Sequence, residues 1–192
     1  MVAADVPQIA ELERVLFGPS AWSEAMLAGE LHAPGRWYLV AVEGPVPGAP
    51  EGAVADDPAA EAVGPGGTVV GYAGLWFDGD VSQVMTIGVA PAVQRQGIGA
   101  TLLTALVDRS RELGASALLL EVRVDNEPAI ALYERFGFEI LSRRRRYYQP
   151  EDVDAWTMRL ELAAQAPGEV PDPASDEVSD GVDGEGGAQV DG

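Results

Sequence analysis

Apolar residues recur along the chain with two kinds of spacing, and these spacings predict its secondary structure. Spacings of three and four residues are typical of amphipathic helices, whereas alternating or continuous apolar runs are typical of strands. The helical pattern occupies four segments, which are 6–17, a short stretch after Ser23, 100–113, and the stretch from Asn126 to Gly137. The strand pattern occupies 37–42, 68–77, 84–89, 117–124, 138–148 and 156–162.

The predicted element order is ααββαβαββ, in which the run 84–89 is not counted as a strand of its own. Helices and strands in this order predict an α/β (mixed α+β) fold with a mixed sheet and helices on both faces. Several residues are suited to the predicted helix ends. Asp5, Ser23 and Asn126 are suited to N-caps, and Gly114 is suited to the C′ position.

Two segments lack apolar periodicity and define the predicted domain organisation. Residues 44–67 are rich in proline and glycine, and residues 163–192 are rich in glycine, proline, alanine and acidic residues. Such segments cannot bury enough apolar surface to offset the entropy of ordering them. We therefore predict a single domain over residues 1–162, with an inserted surface loop at 44–67, followed by a disordered acidic tail at 163–192.

Charge and composition exclude several function classes. The net charge is −19, and the segments 43–68 and 163–192 hold 13 acidic residues and no basic one, which leaves −6 for the rest. This mild charge, without a basic stripe, argues against direct nucleic-acid binding. The sequence has no Cys, which excludes disulfides, thiolate metal sites and a Cys nucleophile. The single histidine, His32, has no ligand pattern around it, so no metal site is predicted.

The first thirty residues bear on where the protein resides. They include charged residues and no apolar run long enough for a signal peptide or a membrane span. We therefore expect a cytoplasmic protein that does not bind membranes.

The turn Gln94–Gly99 is the most informative local motif. It lies between the strand-like run 84–89 and the predicted helix 100–113. The first N–H groups of a helix lack internal partners and carry partial positive charge, so such a turn can bind a phosphate group. Gly97 and Gly99 lack the Cβ atoms that would keep a phosphate away from this backbone. A glycine corner without a ligand is the alternative.

Longer motifs carry a resemblance to a known family. The segments IGVAPAVQRQGIGATLL, LEVRVDNEPAIALYERFGF and RRRRYY occur in this order. Together they resemble the GNAT superfamily of N-acetyltransferases, and within it the RimI-type enzymes that acetylate the N-terminal alanine of a ribosomal protein. The resemblance implies a GNAT fold, with a mixed and mostly antiparallel twisted sheet that is splayed at the cofactor site and flanked by about four helices. It also implies acetyl-CoA as cosubstrate and a ribosomal protein as partner.

The resemblance assigns roles to particular residues. Glu121 is expected to be the general base and Tyr133 the general acid in direct transfer to an N-terminal α-amine. The residues expected to contact acetyl-CoA are Ile87, Gly88, Val89, Arg95, Gln96, Gly97, Ile98, Gly99, Ala100 and Asn126. Trp22 and Tyr147 are expected on the substrate side. The backbone N–H of Val89 is expected to stabilise the negative oxygen that forms during transfer.

The residues alone leave plainer alternatives open. Glu121 could belong to a structural ion pair near a strand end, since it shares its strand face with Arg123. Tyr133 lies on an apolar stripe and could be a core residue, and Asn126 could be only a helix cap. Tyr147 and Tyr148 fit the substrate mouth and core packing equally well.

The arginine run 143–146 could suggest phosphate or RNA binding, but alternate side chains of a strand point to opposite faces. We therefore predict arginines that are solvated or paired with carboxylates.

Two departures from the family concern the N-terminus and residue 100. Only Met1 to Ala4 precede the first helix, where the family usually has an edge strand, and Ala100 replaces a frequent Arg.

Two other functions fit the same sequence. One keeps the fold and acetyl-CoA but transfers the acetyl group to a small-molecule amine. The other is a non-catalytic module that binds CoA.

Overall fold

The computed structural model describes residues 1–44 and 67–162. The loop predicted at 44–67, apart from its two end residues, and the tail predicted at 163–192 therefore lie outside the described residues. Four helices, α1 to α4, span Val6–Phe17, Glu24–Glu30, Ile98–Glu112 and Glu127–Arg135. Six strands, β1 to β6, span Arg36–Glu43, Thr68–Phe77, Val81–Val89, Ala117–Arg123, Glu139–Tyr148 and Val153–Glu161.

The structure has one strand more than the predicted order. The strands β2 and β3 form an antiparallel hairpin, because the residues between them make a tight turn. In this turn the Asp78 side chain accepts hydrogen bonds from the backbone N–H groups of Asp80 and Val81, each at 2.9 Å. The order ααββαβαββ is therefore wrong by one strand, and the observed order is ααβββαβαββ.

The six strands form one mixed sheet with the order β1-β2-β3-β4-β6-β5. All neighbouring strands are antiparallel except β3 and β4, which are parallel and are connected through α3. The prediction of a mixed, mostly antiparallel sheet with four helices is confirmed.

Helices cover both faces of the sheet. On one face, Ile9 of α1 and Leu27 of α2 pack in one cluster with Tyr72 of β2. On the other face, Leu102 and Leu106 of α3 pack in a second cluster with residues of β2, β3, β4 and α4. The strand β2 is buried at seven consecutive positions because both of its faces are covered.

The helix ends follow the predicted signals with one exception. The Ser23 and Asn126 side chains cap α2 and α4 by accepting backbone hydrogen bonds at 3.3 Å, and Gly114 after α3 has φ +74°. Asp5 does occupy the N-cap position of α1, but its side chain makes no capping hydrogen bond there. Residues Ala3–Asp5 form a 3₁₀ turn, and the Asp5 carboxylate closes this turn by accepting a hydrogen bond from the Val2 N–H at 2.7 Å.

The first residues take no strand conformation. The N-terminal amine donates a hydrogen bond to the carbonyl oxygen of Tyr38 on β1 at 3.2 Å. The chain thus enters α1 through the 3₁₀ turn, and the family's edge strand is absent from these described residues.

Candidate active site

The sheet opens between its two parallel strands. Pairing between β3 and β4 covers only Val81–Gln83 and Ala117–Leu119, although β3 continues to Val89 and β4 to Arg123. Each strand remains paired with its outer neighbour, β2 or β6. The strands therefore diverge, and a gap opens in the middle of the sheet, as the resemblance predicts.

Part of the β3 backbone faces this gap. The N–H of Ala90 donates to the carbonyl oxygen of Val70 at 2.8 Å, so Ala90 faces β2. Because alternate residues of a strand direct their backbone groups to opposite sides, Ile87 and Val89 direct theirs into the gap. The β2–β3 register also shifts at Met85, and such a bulge bends a strand and often lies beside a functional site.

A cavity of about 440 Å³ lies at this gap. Its walls come from β3, β4, α4, the end of β5, and the segment between Glu13 and Trp22. Two carboxylates, Glu13 and Glu121, line the cavity together with three tyrosines. The volume falls within the range of about 300–1,000 Å³ that is typical of small-molecule sites.

Glu121 lies on β4, and its side chain is 12% exposed. Its Oε1 accepts a hydrogen bond from Arg144 Nη1 at 3.0 Å, and its Oε2 accepts one from Gln83 Nε2 at 2.9 Å. Arg144 is 50% exposed and stacks over the Tyr147 ring at 4.3 Å. The ion pair that was the alternative for Glu121 does form, with Arg144 and not with Arg123.

Tyr133 lies on α4 and is 5% exposed. Its ring packs against Phe138 with 5.8 Å between centroids, so the core contact expected as an alternative is present, and the residue also lines the cavity. Burial, with a smaller contribution from Tyr148, raises the pKa of Tyr133 above its ordinary value. The phenol therefore stays protonated at neutral pH.

Aromatic residues form the rest of the wall near Glu121. The rings of Tyr147 and Tyr148 meet edge to face with 5.1 Å between centroids, and the Tyr148 hydroxyl donates to the Glu121 carbonyl oxygen at 3.3 Å. Burial raises the pKa of Tyr148 to about 12, with further contributions from Tyr147 and Glu121. Trp22 lines the same cavity from the segment that precedes α2.

Glu13 is a site residue that the sequence reasoning missed. It lies on α1, is 1% exposed, and accepts hydrogen bonds from the Tyr72 hydroxyl at 2.7 Å, the Thr86 hydroxyl at 3.0 Å and the Trp22 N–H at 3.1 Å. A signal was present, because Glu13 is four residues after Ile9 and therefore falls on the apolar face of its helix. A carboxylate on a buried helix face needs specific partners.

The glycine turn leads from β3 into α3. Gly97 has φ +92° and occupies the N-cap position, and no side chain in the described part of the chain caps this helix. A Cβ added at Gly97 would meet nothing within 4 Å, and one at Gly99 would meet nothing closer than 3.7 Å. Among the described residues, no side chain therefore bonds the start of α3, and the two glycines leave its first N–H groups open, as anion binding requires.

The structure brings part of the predicted site together. The predicted residues that line the cavity are Trp22, Ile87, Glu121, Asn126, Tyr133 and Tyr147. The others lie outside it, at the end of β3, in the turn that follows and at the start of α3, and are Gly88, Val89, Arg95, Gln96, Gly97, Ile98, Gly99 and Ala100. Packing also explains why residue 88 is glycine, since a Cβ there would approach the Tyr72 ring to 2.6 Å.

The arginine run pairs with carboxylates, as predicted. Arg143 bonds Asp154 at 2.7 Å, and Arg146 bonds Asp152 at 2.6 Å, in addition to the Arg144–Glu121 pair. His32 is exposed, as predicted.

The sequence profile described as the acetyltransferase (GNAT) family matches residues 49–138. The N-alpha-acetyltransferase RimI of Mycobacterium tuberculosis is 38% identical over 164 residues, which cover 83% of this chain and 88% of that protein. The chain belongs to the GNAT family of acetyltransferases. The resemblance seen in the sequence, including its RimI-type character, is confirmed.

Two further comparisons concern GNAT proteins of Escherichia coli. The [ribosomal protein bS18]-alanine N-acetyltransferase of strain K12 is 43% identical over 86 residues, which cover 44% of this chain and 58% of that protein. The crystal structure of the ribosomal-protein-S18-alanine N-acetyltransferase from E. coli superposes with a TM-score of 0.66 at 28% identity, covering 88% of this chain and 94% of that chain. The GNAT fold is thus shared over nearly the whole described domain.

GNAT enzymes use acetyl-CoA, and the observed features suit such a ligand. The gap in the sheet offers extended backbone, and the uncapped start of α3 offers N–H groups. Among the described residues, no cluster of three or more His, Cys, Asp or Glu side chains could hold a metal ion. None of the helices in residues 1–44 and 67–162 is long and apolar enough to cross a membrane.

Proposed function

We propose that this GNAT protein transfers an acetyl group from acetyl-CoA to the N-terminal α-amine of a protein, with Glu121 as general base and Tyr133 as general acid. The observation that carries the proposal is that Glu121 and Tyr133 line one cavity at the gap between β3 and β4. A base and an acid must reach the same reacting centre, and this arrangement meets that requirement.

Acetyl-CoA would be held by backbone groups. Ile87 and Val89 would pair with its extended arm, as an added strand pairs with a sheet edge. The N–H groups from Arg95 to Ala100 would bind its diphosphate at the start of α3, and Asn126 would contact it near the cavity. When bound, acetyl-CoA supplies an activated acetyl group as a thioester.

The chain's own groups would move the protons. A free α-amine has a pKa of about 7.7–8.0, so most of it is protonated at neutral pH. The Glu121 carboxylate would first take one proton from the ammonium and release it to solvent, which leaves a neutral amine. As the amine nitrogen bonds to the carbonyl carbon, Glu121 would take the second proton that the nitrogen loses, and the Val89 N–H would stabilise the negative oxygen. As the carbon–sulfur bond breaks, the Tyr133 hydroxyl would protonate the sulfur. Solvent then returns the proton from Glu121 to Tyr133.

For the substrate, we propose the N-terminal alanine of a ribosomal protein. Support comes from the two E. coli comparisons, whose names give an alanine of ribosomal protein S18 as the acetylated residue. The aromatic residues Trp22 and Tyr147 would contact the incoming peptide. The ribosomal protein is the partner, and the proposal involves neither nucleic acid nor membrane.

The direct test is incubation of the purified protein with acetyl-CoA and a short peptide that begins Ala-Arg. We expect one acetyl group on the α-amine, located by fragmentation in a mass spectrometer. The same peptide with a blocked N-terminus is the matched control and should remain unmodified. Acetylation of small amines alone would contradict the proposal, and so would binding without turnover.

A second test concerns the glycine turn. Gly99 is helical and has room for a Cβ within the protein, so Gly99→Ala should fold normally. If the backbone there binds the diphosphate, the added methyl should raise the KM for acetyl-CoA about tenfold or more. Gly29→Ala is the control, because Gly29 is a helical glycine of α2 at which a Cβ would meet nothing within 4 Å, and it should leave this KM unchanged.

A further inference from the structure

Glu13 holds together parts of the chain that are distant in sequence. Its partners come from β2 (Tyr72), β3 (Thr86) and the segment before α2 (Trp22). All three donors are neutral, and no cationic side chain of the described residues bonds to this carboxylate. Hydrogen bonds to an ionised acceptor are roughly twice as strong as neutral ones, and burial strengthens them further.

The three partners are not equally fixed without Glu13. Tyr72 and Thr86 belong to paired strands, where Tyr72 pairs with Gly88 and Thr86 pairs with Gly74. Trp22 lies between the 3₁₀ turn Gly18–Ser20 and α2, outside any strand or helix. Tyr72 and Thr86 would therefore keep their places without Glu13, whereas the residues between Gly18 and α2, which include Trp22, depend on the hydrogen bond to Glu13.

Glu13 joins two residues that line the cavity. Thr86 and Trp22 line it, and Thr86 immediately precedes Ile87, whose backbone faces the gap. We propose that Glu13 is a positioning residue. It holds Trp22, which lines the cavity on the side where the peptide would bind, at a set distance from β3, the strand that would hold the thioester. This inference rests on the proposed function and adds a residue that controls peptide binding.

The test compares Glu13→Leu with Tyr72→Phe. Glu13→Leu removes both acceptor oxygens and puts an apolar side chain of similar volume in their place. Tyr72→Phe removes one hydrogen bond to the same carboxylate, but it leaves the bonds from Thr86 and Trp22, and Tyr72 does not line the cavity. If Glu13→Leu does not fold, Glu13→Gln takes its place under the same criteria.

Steady-state kinetics give the first readout. Because the paired strand β3 stays in place, Glu13→Leu should raise the KM for an Ala-Arg peptide about tenfold or more and change the KM for acetyl-CoA by less than about threefold. This size corresponds to the loss of a hydrogen bond to a charged group. Tyr72→Phe should change neither KM by more than about threefold.

Hydrogen exchange gives a readout that does not need turnover. In Glu13→Leu the amides of Gly18 and of residues 20–23 should exchange about tenfold faster than in the unmodified protein, whereas Tyr72→Phe should leave them close to unchanged. Equal behaviour of the two variants, in peptide KM or in exchange, would overturn the inference and leave Glu13 a purely structural residue. Absence of peptide turnover by the unmodified protein would instead refute the proposed function, and exchange would still decide the role of Glu13.

Discussion

Two carboxylates line the same cavity, and the protein holds them in different ways. Glu121 bonds one cation, Arg144, and one amide, Gln83, and its side chain is 12% exposed. Glu13 is 1% exposed and accepts three hydrogen bonds from uncharged donors. The partners of Glu121 include a half-exposed side chain that can move away, whereas two partners of Glu13 are fixed in the sheet.

This difference suggests a division of roles. A carboxylate that must accept a proton from a substrate needs a partner that the incoming ammonium can replace, and Arg144 meets this need because it is 50% exposed. Glu13 is itself buried and bonds the buried Tyr72, so it cannot exchange this partner without disturbing the core. We therefore expect variants of Glu121 to affect the chemical step, and variants of Glu13 to affect stability and peptide binding.

The largest expected effect is that of Glu121→Gln. An amide cannot take the proton, so kcat for the Ala-Arg peptide should fall about 10²–10⁴-fold at neutral pH. Binding of acetyl-CoA, measured by calorimetry, should stay close to normal. Glu139→Gln, on exposed β5, is the control and should keep full turnover. Full activity of Glu121→Gln would show that another group is the base.

Tyr133→Phe should have the next largest effect. The ring and its contact with Phe138 remain while the proton donor is lost, so kcat should fall about 10²-fold with little change in stability. Tyr38→Phe removes a hydroxyl that donates to Glu30 elsewhere in the protein and serves as the control. If both variants turn over at the same rate, the departing sulfur does not need Tyr133.

A stability comparison separates the two carboxylates directly. Glu13→Leu leaves the buried Tyr72 hydroxyl without its acceptor, at about 1–3 kcal/mol, and removes the acceptor of the half-buried Thr86 hydroxyl and Trp22 N–H at a smaller loss. Arg144→Gln breaks a half-exposed ion pair, which contributes about 1 kcal/mol or less. Urea unfolding of both variants measures the two losses. Equal losses would mean that the Glu13 partners find other acceptors.

The smallest effect concerns alkaline pH. Burial raises the pKa of Tyr133 and of Tyr72 above the ordinary value of about 10. Above that value the unfolded chain loses these protons while the folded chain keeps them, so the free energy of unfolding should fall as the pH rises beyond about 10. Tyr72→Phe should weaken this dependence in urea titrations between pH 9 and 11. If the free energy of unfolding falls with pH equally steeply in Tyr72→Phe, Tyr72 does not contribute to this dependence.

The sequence predicted the elements of the fold where apolar periodicity was long and its ends were marked. The helix from Ile98, with Gly114 after it, and the buried β4 are such cases. The β2–β3 hairpin was missed because the run 84–89 was interpreted as the approach to the glycine turn and was not counted as a strand of its own. Asp5 occupies the predicted N-cap position, but its carboxylate closes the preceding 3₁₀ turn, because a capping residue type does not reveal which neighbouring turn its side chain closes.

The site was predictable to the extent that the family motifs mark it. Glu121, Tyr133 and Asn126 come from adjacent elements, and the fold brings them to one cavity. The partners of Glu121 were not predictable, because Gln83 lies on β3 and Arg144 on β5, and these strands come near β4 only when the sheet has formed. Glu13 was missed because its three partners are 9, 59 and 73 residues away along the chain.

The strand β5 forms one outer edge of the sheet, and nearly all of its residues are exposed. An unpaired strand edge invites pairing with other molecules, and cationic side chains are a common protection against it. Three of the four arginines in the run Arg143–Arg146 are balanced by carboxylates of the same molecule, so repulsion between two copies would be weak. The pairing of β5 with β6 is irregular between Ile140 and Ser142 and between Arg144 and Tyr148, and such bulges bend a strand. A bent edge cannot align with a second copy over its whole length, so the bends in β5 would counter aggregation between molecules.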